Sequence, residues 1–286
     1  MKEEPVLHAV TMRELKEIIG IHWELRASPQ GAPALIIKGA PGIGKTEAWM
    51  QFVQEVGTSQ RVFYPQPLEP ADAIGVPSVV NGRTIFNPPV KWLPDEKKEP
   101  EGIFGVEELG ACDIAMQKVC ARILHERQIG DLPLPKKWIV IATTNSVSHR
   151  TGSFRLLSHV QSRAVVVELV VDAMEWLQYA SSTGLVHPTQ RACIAFKPSL
   201  LHDFDPDSDR QYSCPRSQVL LSRSFDKLSD SLFPKYAAGC IGAGAASELC
   251  VFREFEKQLI KAKDILAKPL TATVPTEPSV LCAMAE

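Results

Sequence analysis

The segment Gly39-Ala40-Pro41-Gly42-Ile43-Gly44-Lys45-Thr46 constrains this chain more than any other feature of its sequence. Before it runs Ala34-Leu35-Ile36-Ile37, too short for a helix face and apolar on both sides, as a buried parallel strand should be. After it, residues 45–56 carry Trp49, Phe52, Val53 and Val56 at helical spacing. The order is strand, glycine loop, helix, which is the setting that the pattern G-x-x-x-x-G-K-[ST] requires. Glycines let successive backbone N–H groups curl around phosphate oxygens, and the helix N-terminus adds a favourable dipole. Lys45 would bring positive charge to the β- and γ-phosphates, and the Thr46 hydroxyl would ligate Mg²⁺. A glycine turn that merely caps a helix is the plainer alternative, and a match at all four fixed positions of the eight-residue pattern in this setting weighs against it. No G-x-G-x-x-G can be written through residues 39–47, so a dinucleotide fingerprint fails.

Further apolar runs at 62–64, 103–106, 138–142 and 164–170 alternate with helix-period stretches at 11–27, 45–56 and 111–127. Thr11 and Glu14 have the spacing of a capping box. This alternation predicts an α/β fold. Eight of the 22 prolines fall between Pro65 and Pro100, which excludes a long regular helix or central strand there. Within that stretch Asn81-Gly82 separates two β-prone runs and predicts a hairpin. Beyond about residue 170 only helical segments are expected, at roughly 172–182, 188–197, 215–230 and 244–263. The expected organisation is an N-terminal helical segment over 1–30, a core over 31–170 with a hairpin insertion near 75–90, a helical lid over 171–265 and a tail over 266–286.

Two carboxylates follow the run Gly102-Ile103-Phe104-Gly105-Val106, namely Glu107 and Glu108. On a strand parallel to the one entering the glycine loop, the first would face Mg²⁺ and the second an attacking water. An acidic pair is often only a solvated surface feature; its place after a buried strand favours the functional reading. Glu107 stands where aspartate is usual and is one methylene longer, so weakened or altered hydrolysis is an expectation too. The next buried run ends at Asn145, placed to hold the water and sense the γ-phosphate, although asparagine after a strand is commonly a turn residue. Arg150, Arg155 and Arg163 precede the last strand, and Arg216 opens a later helix. Guanidinium groups suit charge developing on a transferring phosphoryl group.

This ordered set resembles the AAA+ ATPases, and within them the MoxR-type family. The resemblance is carried by residues 39–46 and 102–109, by Leu124-His125-Glu126-Arg127-Gln128-Ile129-Gly130, by the strand ending at Asn145, by Ser162-Arg163 and by Cys214-Pro215-Arg216-Ser217. It spans about residues 31–285. The resemblance implies a P-loop three-layer αβα core with a smaller all-helical lid, in which Lys45 and Thr46 are Walker A, Glu107 and Glu108 Walker B, Asn145 sensor 1, Arg163 an arginine finger acting on a neighbouring subunit, and Arg216 sensor 2. Arg150 and Arg155 are alternatives for the finger. It further implies ATP and Mg²⁺ as cofactors, a homo-oligomeric ring of six, a hairpin facing the pore or a partner, and a partner protein with a von Willebrand A-type domain. Gly110 departs from the family pattern, where a polar residue is common.

Composition narrows the function. Hydrophobic residues make up 45% and charged residues 22%, as in ordinary globular chains. A net charge of −2 gives no global reason to expect nucleic acid or an anionic membrane as partner. No apolar run reaches the length of a membrane span, and the N-terminus lacks a signal-peptide core, so a cytoplasmic protein is expected. Seven cysteines without a C-x-x-C pair suit reduced thiols better than a disulfide framework or zinc site. The alternating Asp203, Asp205, Asp207 and Asp209 lack the glycine and closing glutamate of a calcium loop and read as a solvated acidic loop. The leading expectation is a ring-forming ATPase that remodels a partner protein. Its rivals are an ATP-binding scaffold with weak hydrolysis, a nucleic-acid motor and, less favoured, a small-molecule kinase.

Overall fold

A computed structural model describes residues 9–146 and 156–257, and the chain divides between Val170 and Val171 into two compact units.

The first unit is a three-layer α/β fold around a six-stranded sheet. Its strands are β1 (Ala9–Val10), β2 (Ala34–Gly39), β3 (Ser59–Phe63), β6 (Glu101–Val106), β9 (Lys137–Asn145) and β10 (Ala164–Leu169), ordered β1-β10-β2-β9-β6-β3 with every pairing parallel. The N-terminal segment is integral to this sheet, because β1 pairs with β10 and leads into α1 (Met12–Leu25). The capping box at Thr11 and Glu14 forms on both sides. Side chains alternate across each strand, so the two faces are covered separately. Ile36, Phe104, Val106, Val140 and Ala142 join Met116, Cys120, Ile123 and Leu124 of α4 (Ile114–Glu126) in one core cluster. On the other face, α2 (Lys45–Val56) lays the ring of Trp49 over Gly105. A parallel sheet buried on both faces explains why β2 and β9 are nearly continuous apolar runs.

The proline-rich stretch holds a short helix, α3 (Pro70–Ile74), with its proline at the first turn, and the hairpin β4 (Val76–Val80) and β5 (Arg83–Asn87). Asn81 and Gly82 have φ of 51° and 72°, the double positive φ of a two-residue hairpin turn. A second small hairpin, β7 (Gln128–Ile129) and β8 (Leu132–Pro133), touches the base of the first, where the Phe86 amide donates to Asp131 Oδ2 at 3.0 Å. The short helix α5 (Ser158–Gln161) precedes β10.

The second unit is all helical: α6 (Ala173–Thr183), α7 (Pro188–Phe196), α8 (Pro215–Ser222), α9 (Phe233–Ile241) and α10 (Ala243–Lys257). Here the sequence expectation over 215–230 needs correction. The helix stops at Ser222, whose hydroxyl accepts from the His187 amide at 2.6 Å, and the chain turns so that Phe225 stacks on the His187 ring. The helix α9 was not expected at all. Gly242, at φ 81°, separates it from α10, and any Cβ there would meet the Gln211 carbonyl oxygen at 2.4 Å. The acidic residues at 203–209 form an exposed loop in which Asp203 accepts from the Ser213 amide and Asp205 from the Asp207 amide.

Candidate functional site

Three neighbouring strands end together. Gly39, the last residue of β2, lies opposite Asn145, the last of β9, and Val106, the last of β6, lies opposite Ala142. One residue further along, Glu107 therefore arrives beside Thr143. In a parallel sheet the carboxyl ends of adjacent strands are where ligands gather. Helix α2 starts at that same edge with Gly44 as a left-handed N-cap at φ 100°, so its first amides open onto the strand tips. Gly39 itself is obligatory: a Cβ would lie 2.7 Å from Ile43 Cδ1 and 2.8 Å from the Leu169 carbonyl oxygen.

The polar side chains at this edge form a connected set. Lys45 Nζ donates to Gly39 O at 3.1 Å, Ala40 O at 2.7 Å and Asn145 Oδ1 at 2.9 Å. The ammonium is thus drawn across the loop mouth and tied to the tip of β9. Thr46 Oγ1 donates to Glu107 Oε2 at 2.5 Å, and Thr143 Oγ1 donates to the same oxygen at 2.6 Å. Trp49 Nε1 donates to the other oxygen, Oε1, at 3.0 Å. Glu107 is buried, at 4% exposure, so its charge relies on these three donors for the solvation that water would otherwise supply.

Burial separates the two acids. Glu108 is exposed, sits at φ 54° and ψ 40°, and donates its amide to Thr143 Oγ1 at 3.3 Å. A non-glycine residue held left-handed at a strand tip is an observed backbone outlier in a place where strain is often functional. Gly110 donates its amide to Thr144 Oγ1 at 3.1 Å, so the two threonines of β9 anchor the turn that carries both acids. The same turn continues to Cys112, whose thiol is pulled down by a hydrogen bond with Cys120; that bond and burial push Cys120 well up.

The sequence-selected residues therefore fall into groups. Lys45, Thr46, Glu107 and Asn145 come together, with Glu108 on the adjoining turn and Gly39, Ala40, Pro41, Gly42, Ile43 and Gly44 forming the loop around Lys45. Arg163 stands apart from that set, exposed in the turn between α5 and β10. Arg216 lies exposed in the first turn of α8, in the other unit. Arg150 and Arg155 lie outside the described residues. Trp49, Gly105, Thr143 and Thr144 were missed by sequence reasoning. A tryptophan four residues after Lys45 and a Thr-Thr pair before Asn145 were the available signals.

No group of acidic, histidine or cysteine side chains suited to a metal ion occurs by itself among the described residues. The hydroxyl of Thr46 and the carboxylate of Glu107 are hard oxygen donors of the kind Mg²⁺ takes one or two at a time when phosphates complete its shell. No helix among the described residues is long and apolar enough to cross a membrane.

No protein-family model and no curated protein matches this chain. Among solved structures it is similar to a mutant of Thermotoga maritima RuvB, at 16% identity and a TM-score of 0.49 over 92% of this chain and 79% of that one. It is also similar to the Thermotoga maritima RuvB Holliday junction branch migration motor, at 17% identity and a TM-score of 0.46 over 92% and 78% of the two chains. NtrX from Brucella abortus in complex with ADP is similar at 12% identity and a TM-score of 0.38, over 65% and 45%. At these values nothing about activity follows from the likeness.

Proposed function

We propose that this chain is a Mg²⁺-dependent ATPase of the AAA+ class, of MoxR type, that acts as a homo-oligomeric ring of six in the cytoplasm and remodels a partner protein, one with a von Willebrand A-type domain. The observation that carries the catalytic part is the joining of Lys45 to Asn145 and of Thr46 to Glu107 at the carboxyl edge of three adjacent parallel strands. That arrangement supports phosphate binding at the loop and hydrolysis beside it.

The loop amides and the N-terminus of α2 bind the phosphates. Lys45 exchanges its carbonyl acceptors for phosphate oxygens and spreads positive charge over the transferring group. Thr46 and Glu107 would hold Mg²⁺, which would supply positive charge against the charge developing on the phosphates. Glu108, exposed beside the buried acid, orients the attacking water and accepts its proton. Asn145 fixes that water and, through its bond to Lys45, links it to the phosphate. Arg163 is exposed, as a group reaching a neighbouring subunit's ATP must be, and Arg216 couples nucleotide to the helical unit. The test is nucleotide trapping: Glu108→Gln should retain ATP without turnover, and Lys45→Ala should bind it at least tenfold more weakly. Equal ATP affinity in Lys45→Ala and the wild type would contradict the reading.

A scaffold that binds ATP and hydrolyses it slowly is the second reading. It is favoured by the occupation of both Glu107 oxygens by protein donors. Single-turnover phosphate release with normal nucleotide affinity separates the two.

A further inference from the structure

We propose that Trp49 is a positioning residue that fits glutamate, in place of aspartate, to the metal-side position at 107; this rests on the ATPase reading above. Thr46 and Trp49 are three residues apart on α2 and so share the helix face turned toward the tip of β6. Both donate to one carboxylate, Thr46 to Oε2 at 2.5 Å and Trp49 to Oε1 at 3.0 Å. The carboxylate is held at both ends, Oε1 by Trp49 and Oε2 by Thr46 together with Thr143 Oγ1 at 2.6 Å.

The strand is shaped for this contact. Gly105 and Glu107 alternate onto the same face of β6. A Cβ at Gly105 would lie 2.5 Å from Trp49 Cζ2, so only glycine leaves the indole room to reach Glu107. Trp49 has no exposed surface, and water cannot replace its acceptor. An aspartate would withdraw the carboxylate by one methylene and strand that N–H. The extra length of Glu107 is therefore matched by the donor that receives it. The free rotamers a longer acid brings are restricted, and Oε2 is turned toward Thr46 and Thr143 on the metal side.

Trp49→Phe keeps an aromatic ring over Gly105 and removes the donor. The Mg²⁺ concentration giving half-maximal hydrolysis should rise at least fivefold, with metal-free ADP affinity unchanged. In the metal-free wild type the Trp49 indole N–H resonance, identified by its loss in Trp49→Phe, should move on Glu107→Gln. Glu107→Asp should likewise raise the Mg²⁺ requirement in the wild type and add little in Trp49→Phe, since the two remove one interaction. An unchanged Mg²⁺ requirement in Trp49→Phe, additive effects, or an indole resonance indifferent to Glu107→Gln would overturn the assignment. A wild type that binds no nucleotide would instead be the failure of the ATPase reading, visible before any variant is compared, and the positioning role would fall with it.

Discussion

Trp49 Nε1 meets Glu107 Oε1 at 3.0 Å, joining the second turn of α2 to the tip of β6 across 58 residues of sequence. Both side chains are buried, so the bond has no solvent competitor. It ties the helix that follows the Gly39–Gly44 loop to the acid proposed to hold Mg²⁺.

Shortening the acid should therefore cost stability as well as activity. Glu107→Asp leaves a buried indole N–H without its acceptor, a loss of about 1–3 kcal/mol. Urea unfolding should show a lower midpoint, and steady-state hydrolysis should fall. A rise in rate with unchanged stability would favour the slow scaffold.

Enlarging the glycine beneath the indole tests the same contact from the other side. Gly105→Ala places a methyl 2.5 Å from the Trp49 ring. Overpacking of this kind costs about 1–3 kcal/mol, because the fully buried ring has no free space to retreat into. Chemical denaturation measures it, and the near-ultraviolet tryptophan dichroism should change with it.

Histidine 22 gives the first unit a pH dependence. Its ring is buried on α1, Nδ1 lies 2.9 Å from Ile18 O, and Nε2 has no hydrogen-bond partner among the described residues. Burial lowers its pKa below 6.5 against a smaller opposing effect of the Ile18 carbonyl. The unfolded chain then takes up the proton first as pH falls. The stability associated with neutral His22 is complete above about 6.5, declines below it and levels off beneath the folded pKa. Unfolding free energies measured between pH 8 and 5 should drop in the wild type and drop less in His22→Leu.

Thiol reactivity should differ between sites. Burial pushes the Cys193 thiol up to about 12, with Glu248 adding to the rise. The native protein should alkylate at Cys193 far more slowly at pH 8 than the urea-unfolded chain, by roughly a hundredfold or more. Peptide mapping after a timed iodoacetamide pulse reads this directly.

How much of this was legible in the sequence depended on range. The loop between β2 and α2, the capping box at Thr11 and the Asn81-Gly82 turn rest on residues close together, and their signals are local. Helix α9 was hidden because Pro234, Gly239 and Gly242 mark it as a breaker-rich stretch, although the proline sits harmlessly in the first turn. The support of Glu107 was invisible for a different reason. Trp49, Thr143 and Glu107 meet only through the parallel register of β6 and β9 and the seating of α2 on Gly105. Sequence spacing carries no trace of that meeting. The acid pair was legible as a pair, but its division into a buried Glu107 and an exposed, left-handed Glu108 was not.

The proposed activity is hydrolysis of ATP by the Lys45, Thr46, Glu107 and Asn145 set with help from a neighbouring subunit. Phosphate release per protomer, followed from dilute to concentrated protein with Mg²⁺ and saturating ATP, tests it most directly. The rate should climb with concentration to a plateau, stay near zero in Lys45→Ala, and fall at least tenfold on the plateau in Arg163→Ala. A rate per protomer that is constant over the whole range and unaltered by Arg163→Ala would contradict it.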